Sequence, residues 1–416
     1  MKTAILVAVG DELLSGIRSE GNCSFLARFL HDAGWKVLHM EVIPDDLPRM
    51  VEVLKRWVGK TDLLVLSGGL GPTHDDKTRY AIAEYLGCGL AVDDALYDRV
   101  SARYEGNPLR NIVEHSRPAQ GLVPEKTAGV YNPVGSALGI YFEKNGTKVW
   151  SFPGVPFEYK ALVEQELTPL LSSRGDGWTW KSISIMDVPE SLVAERASEI
   201  VADPCLHISI LPSFGLVEFV IRGEKELVDS AVREVRSRFA GDVLPEGCFT
   251  LPEAILALGR EKGLTLSCAE SCTGGAVGAY LTDLAGMSDV FIGSAVVYAN
   301  DAKKNLLGVE QAILDAHGAA SGECVESMAK GALRLYGTSL SVAVTGIAGP
   351  GGGAEKPVGT VWFAVASQAG SAGNSVECTS FTRRLHGGRG PVRERAVRIA
   401  LGAVWRKMTE MPSPRF

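Results

Sequence analysis

Gly263-Leu-Thr-Leu-Ser-Cys-Ala-Glu-Ser-Cys-Thr-Gly-Gly-Ala-Val-Gly-Ala-Tyr-Leu281 runs from an apolar stretch of strand length, through Ser271, Thr273 and two glycines, into a segment of helical character. A strand that passes into a helix through a glycine turn is the repeating unit of an α/β fold with a mostly parallel sheet. The same alternation opens the chain. Thr3 to Val9 reads as a first buried strand, followed by about Cys23 to Ala33, Trp35 to Ile43, Leu47 to Val58 and Asp62 to Leu66. Functional loops then belong at the carboxyl ends of the strands. Gly10-Asp-Glu-Leu-Leu-Ser-Gly16 follows the first strand, and Ser67-Gly-Gly-Leu-Gly-Pro-Thr-His-Asp-Asp76 the third.

The chain has 416 residues, too many for one ordinary domain. The first block closes with a helix to about Leu171, giving a domain over 1–172, and the polar Ser172-Ser-Arg-Gly-Asp-Gly177 reads as a linker. Trp180 to Ile185, Pro189 to Val201, His207 to Leu211, Leu216 to Ile221 and Lys225 to Phe239 predict a small βαββα unit over 178–246. A second boundary falls near Gly241 to Gly247, and a third block over 250–416 ends in a helix from about Pro391 to Lys407. The tail from Met411 to Phe416 reads as frayed.

At 46% hydrophobic and 22% charged, the composition is that of a globular protein. No run approaches the roughly 18 apolar residues of a membrane span. Eight dispersed cysteines without a CxxC pair suggest neither a disulfide framework nor zinc, so a reducing cytoplasm is expected. A net charge of −7 with no basic, aromatic-laced stripe argues against nucleic acid as a partner.

Three polar or glycine-rich loops of the third block each follow a strand-like run: Cys268 to Gly275, Tyr298-Ala-Asn-Asp-Ala-Lys-Lys304, and Thr345-Gly-Ile-Ala-Gly-Pro-Gly-Gly-Gly353. A helix starting after Gly275 would offer free N–H groups to a phosphate or an oxyanion. Ser271 is a nucleophile only if a base takes its proton. Lys303 is the candidate, since a lysine in a partly desolvated pocket can be neutral, and serine–lysine pairs are a variant of serine catalysis. Against this stand the solvated helix face on which most lysines sit, and His317 as a rival base. Cys268 and Cys272 read as packed residues, and Gly351 to Gly353 as a turn.

The segments AESCTGG, YANDAK, TGIAGPGGG and KPVGTVW resemble the C-terminal domain of the CinA family, a nicotinamide mononucleotide deamidase domain. GDELLSG, Asn22, GGLGPTHDD, YNPVGSALG and FPGVP resemble that family's N-terminal domain, similar to molybdopterin-binding proteins. The resemblance implies an α/β fold in three sections: a three-layer αβα domain, a small α+β KH-like unit and an α/β deamidase domain. It makes Ser271 the nucleophile, Lys303 its base and Tyr298 a pocket residue, with no cofactor. Backbone N–H groups at Thr273, Gly274 and Gly275, or from Thr345 and Gly346 to Gly349, would hold the oxyanion or the 5′-phosphate. Arg389 would meet the phosphate, although the family has an acidic residue where this chain has Gly388.

For the N-terminal block the resemblance implies a metal-dependent ADP-ribose pyrophosphatase. Asp11, Glu12, Asp75 and Asp76 would hold Mg²⁺ or a similar ion, beside a nucleotide site of Asn22, Gly68, Gly69, Gly71, Thr73, Thr78 and Asn132. Read from the residues alone, those carboxylates are helix caps. Leu138 replaces a proline of the family. The middle unit lacks the GxxG clamp of nucleic-acid-binding KH domains, so packing or dimerisation within a homodimer is expected. The alternative function is a competence or DNA-damage accessory protein that binds protein partners through vestigial domains.

Overall fold

The structure is a computed structural model that describes residues 2–171, 178–213, 215–351, 356–368 and 375–411. The linker Ser172 to Gly177, the tail beyond Met411, and Gly352 and Gly353 of the glycine turn lie outside the described residues. The chain divides into two compact units, Met1–Trp178 and Thr179–Phe416.

The first unit runs β1 (Thr3–Val9), α1 (Asp11–Leu14), α2 (Asn22–Asp32), β2 (Lys36–Ile43), α3 (Leu47–Trp57), β3 (Leu63–Ser67), α4 (Thr78–Leu86), β4 (Leu90–Val92), α5 (Asp94–Ala102), α6 (Arg110–Gln120), β5 (Leu122–Pro124), β6 (Ala128–Val130), β7 (Gly139–Lys144), β8 (Thr147–Phe152) and α7 (Pro156–Leu171). Its six-stranded sheet has the order β2-β1-β3-β8-β7-β6. β2, β1, β3 and β8 are parallel, and β7 and β6 antiparallel. β1 is apolar throughout because both its faces are covered. Ala4, Leu6 and Ala8 pack with Leu26 and Leu30 of α2 and Leu162 of α7, while Ile5, Val7 and Val9 pack with Met50 and Leu54 of α3 and Ile82 of α4. Leu138 is buried in the second of these cores. The strand order reverses between β1 and β3, which is where a crevice opens in such sheets.

The second unit begins with β9 (Trp178–Met186), α8 (Glu190–Arg196), α9 (Ser198–Val201), β10 (His207–Ser213), β11 (Leu216–Glu224) and α10 (Lys225–Arg238). These build a three-stranded sheet, order β10-β11-β9, over a core of its own. The expected single helix from Pro189 to Val201 breaks at Ala197 into α8 and α9. The chain continues with α11 (Leu251–Lys262), β12 (Leu266–Glu270), α12 (Ala276–Thr282), β13 (Phe291–Val296), α13 (Asn300–Leu307), α14 (Gln311–His317), α15 (Gly322–Tyr336), β14 (Leu340–Gly346), β15 (Thr360–Gln368), β16 (Val376–Arg384) and α16 (Arg389–Glu410). The five-stranded sheet is ordered β13-β12-β14-β15-β16, with β12 parallel to both neighbours and β15 and β16 antiparallel. α11, α12 and α16 cover one face, and α13 to α15 the other.

The small sheet has its own core and also packs on the rest of this unit. Met186 and Leu216 of that sheet, with Leu244, lie in the core formed with α11 and α16. Arg406 of α16 pairs with Asp187 and Asp242, and Ser184 Oγ donates to the Phe249 carbonyl.

Candidate active site

The turn after β12 is built around Ser271. Its N–H donates to Val344 O of β14 at 2.9 Å, and the carbonyl of Glu270 just before it accepts from Val297 N at 2.8 Å. Gly274 and Gly275 then take φ of +61° and +94°, which glycine adopts without the penalty of a Cβ. This folds the chain back so that Ser271, 7% exposed, faces a cavity of about 220 Å³.

Lys303 enters that cavity from α13 with 1% of its surface exposed. Its Nζ donates to Val297 O at 2.8 Å and to Tyr298 O at 3.1 Å. A neutral amine has two N–H bonds and a lone pair, so two carbonyls satisfy both hydrogens and leave the lone pair for an incoming proton. Burial pushes the Lys303 amine below the ordinary lysine value. Among the described residues no hydrogen bond joins Ser271 Oγ to Lys303 Nζ; the two share the wall of one cavity. His317 is not in that wall; it lies 3.5 Å from Glu323 at the end of α14.

Arg389, the first residue of α16, stands at the rim, donating to Gly349 O at 2.9 Å and to Tyr298 Oη at 3.0 Å. Those contacts orient the guanidinium where Gly388 has no side chain to do so. Cys272 lines the cavity, where the sequence suggested simple packing, while Cys268 is in the core. Burial pushes the Cys272 thiol up to about 11, which keeps it protonated at neutral pH. Asn300 also lines the cavity. Its place three residues before Lys303 on one helix face was the signal that could have found it.

The helix N-terminus expected to receive an anion is already filled. The Glu270 carboxylate accepts from Gly275 N, Val277 N and Gly278 N at 3.0, 3.0 and 2.9 Å, so α12 is capped by the chain's own acid. Gly274 N donates to Ser271 O, and Ile347 N to Thr360 O. Thr345 Oγ1 is taken by Ala319 O. The N–H groups of Cys272, Thr273, Ala348 and Gly349 carry no hydrogen bond to another described residue. They are the donors left for an oxyanion or a phosphate.

In the N-terminal unit the expected residues gather at the carboxyl ends of β1, β3 and β8, but many already serve the fold. Asn22 donates to Ser67 Oγ and Gly154 O, both at 2.9 Å, and Thr78 Oγ1 to Gly68 O at 2.8 Å. Asn132 is fully buried and holds its own loop through Val134, Gly135, Ala137 and Glu158. Gly68 and Gly69 have φ of +109° and +70°, and a Cβ on Gly69 would sit 2.2 Å from Thr78 Oγ1. Both oxygens of Asp76 are engaged, by Gly71 N, Thr73 N and Thr73 Oγ1, so it braces its own loop instead of capping a helix; neither α1 nor α4 has a side-chain cap. Asp75 is exposed beside His74, and Asp11 and Glu12 are exposed on α1. No group of three or more His, Cys, Asp or Glu among the described residues is placed to hold a metal ion, so the carboxylates as arranged do not fit one. The sequence missed Arg79, buried under the Gly68–Gly71 turn and donating to the carbonyls of Leu70 and Gly71.

Residues 249–408 match the family described as "CinA C-terminal domain", and residues 5–173 the one described as "Probable molybdopterin binding domain". A protein of Symbiobacterium thermophilum named for competence and damage induction is 38% identical over 97% of this chain and 98% of its own. A CinA-like protein of Chlorobium luteolum is 36% identical over 97% of this chain and 96% of its own. Of solved structures, CihA of Agrobacterium tumefaciens is 42% identical over 37% of this chain and 91% of its own, with a TM-score of 0.35. Among the described residues no helix is long and apolar enough to cross a membrane.

Proposed function

The chain belongs to the CinA family, and on that premise we propose that the cavity of its second unit deamidates nicotinamide mononucleotide. The observation that carries this reading is a buried lysine whose two carbonyl acceptors suit a neutral amine, in the same wall as a serine at a strand-to-helix turn. Lys303 Nζ takes the proton of Ser271 Oγ as the oxygen bonds the carboxamide carbon. The resulting oxyanion is met by the unpaired N–H groups of the Cys272–Thr273 or Ala348–Gly349 segments. The C–N bond then breaks, Lys303 returns the proton, and ammonia leaves. Water hydrolyses the ester to nicotinate mononucleotide and restores Ser271. Arg389 at the rim is the group for the 5′-phosphate, exchanging its contacts with Gly349 O and Tyr298 Oη for phosphate oxygens. The geometry speaks against a vestigial accessory protein, because a buried lysine without chemistry to perform is only a cost.

Ammonia release from nicotinamide mononucleotide tests the reading. The whole chain should release it, and Ser271→Ala, still folded, should lose at least about a thousandfold in kcat. A folded Ser271→Ala protein that turns over normally refutes the covalent route.

For the N-terminal unit we propose nucleotide diphosphate binding at the crevice between β1 and β3. The buried Arg79 guanidinium holds the Leu70 and Gly71 carbonyls, Gly68 N donates to Phe152 O and Gly71 N to Asp76, and the N–H groups of Gly69 and Leu70, which carry no hydrogen bond to another described residue, are the donors the turn leaves for a phosphate. Hydrolysis of ADP-ribose there, with Mg²⁺ or a similar ion, remains the activity to assay. No step is assigned to a metal, since the carboxylates present do not form a site for one.

A further inference from the structure

The residue before the nucleophile is a glutamate with none of its surface exposed. Oε2 of Glu270 accepts from Gly275 N and Val277 N, both at 3.0 Å. Oε1 accepts from Gly278 N at 2.9 Å and from Ser294 Oγ, on the edge strand β13, at 2.8 Å. One side chain therefore ties the end of β12 to the far end of the Ser271–Gly275 turn, to the first turn of α12 and to β13. Its main chain reaches the base as well. Glu270 O accepts from Val297 N, and the carbonyl of that same Val297 receives Lys303 Nζ.

We infer that Glu270 is the positioning residue of the catalytic pair, holding the turn that aims Ser271 Oγ and the neighbouring N–H groups at the reacting carbon. The inference rests on Ser271 being the nucleophile. A carboxylate is an acceptor at both oxygens and matches the donors on each side, whereas glutamine of the same shape brings an NH₂ against at least one backbone N–H. The Ser294 hydroxyl can rotate to accept, but Gly275, Val277 and Gly278 cannot. The turn must shift to relieve the opposed hydrogens, and a displacement of about 1 Å at a nucleophile costs on the order of a hundredfold in rate. Ground-state binding through Arg389 and the far wall of the cavity stays in place.

Glu270→Gln should therefore lower kcat for ammonia release about a hundredfold with KM within about threefold. Ser294→Ala, which removes a donor without opposing hydrogens, should stay within about threefold of the whole chain. Melting and far-ultraviolet circular dichroism establish that both variants are folded at the assay temperature. A fluorophosphonate reads the positioning without the substrate, since it bonds to an activated serine oxygen with loss of fluoride. Mass spectrometry should find Ser271 labelled in the wild type and labelled about a hundredfold more slowly in Glu270→Gln. If Glu270→Gln only melts earlier, with normal kcat and labelling below its melting point, the role is structural and the inference falls. A rise in KM with kcat unchanged overturns it too. Labelled wild-type Ser271 with no ammonia release would remove the proposed substrate and leave the positioning role standing, while an unlabelled, inactive wild type would end both.

Discussion

Lys303 shows how much a single environment changes a common residue. On a solvated helix face it would be a cation; here it is surrounded by protein and meets two carbonyls. Burial lowers its folded-state pKa below the usual 10.5, so the unfolded chain binds the extra proton between the folded value and 10.5. The sign follows: this group's contribution to stability is lost as pH falls through the folded pKa and returns as pH rises toward 10.5. The proposed catalysis has the same direction, because in it only the free amine would accept the serine proton. The ascending limb of kcat/KM should reach half its height below 10.5. Lys303→Arg keeps a donor for both carbonyls but cannot lose its proton, and should cost about 10²- to 10⁴-fold in kcat. A wild-type rate in that variant would give the base to another group.

At the scale of elements, the glycines of the third loop differ in what they do. Gly346 closes β14, and a Cβ there would lie 2.6 Å from Thr360 O and 2.7 Å from Val361 Cα. Gly346→Ala must push β15 from β14 beside the cavity, costing about 1–3 kcal/mol and a large share of the deamidation rate. Gly351 meets nothing within 4 Å, so Gly351→Ala should be silent in both melting and ammonia release. Equal melting points for the two variants would contradict this account. From the sequence Gly346 to Gly349 read as donors and Gly351 to Gly353 as a turn, and only the approach of β15 shows what a side chain at Gly346 would meet. The turn after β12 carries the same lesson. Strand, turn and helix were legible around Ser271, but the donor groups of the helix were not free, because the partner that fills them sits at the end of an otherwise apolar strand.

For the whole molecule, the two compact units divide the proposed activities. Ser271, Lys303 and Arg389 lie in the second, so a fragment starting at Trp178, which keeps all of β9, should deamidate like the whole chain. A fragment starting at Thr250 lacks Met186, Leu216 and Leu244, which complete the core around α16. Each buried side chain of this kind contributes about 1.5–3 kcal/mol. The shorter fragment should melt well below the longer one, and α16, which begins at Arg389, should be affected first. Equal melting points would make the small sheet dispensable. Residues 1–178 alone should carry any ADP-ribose hydrolysis. Assays with and without Mg²⁺ decide whether an ion enters with the substrate; no release of AMP under either condition removes that activity from the proposal.

The sequence by itself determined the alternation of strands and helices, the two-sided burial of β1 and the loops that collect at the carboxyl ends of the strands. It also brought Ser271, Lys303 and Arg389 together, through a resemblance carried by several motifs in fixed order. These features are local, since a period of two or 3.6 residues records which face of an element is covered. Tertiary structure decided the rest. Glu270 is spent on α12 and on Ser294, Arg79 is buried under a turn, Asp76 organises its own loop, and the middle segment shares a core with α16. The physical reason is the same in each case. A buried charge or polar group is satisfied by whichever donors the long-range packing brings within about 3 Å, and no periodicity along the chain records which those will be.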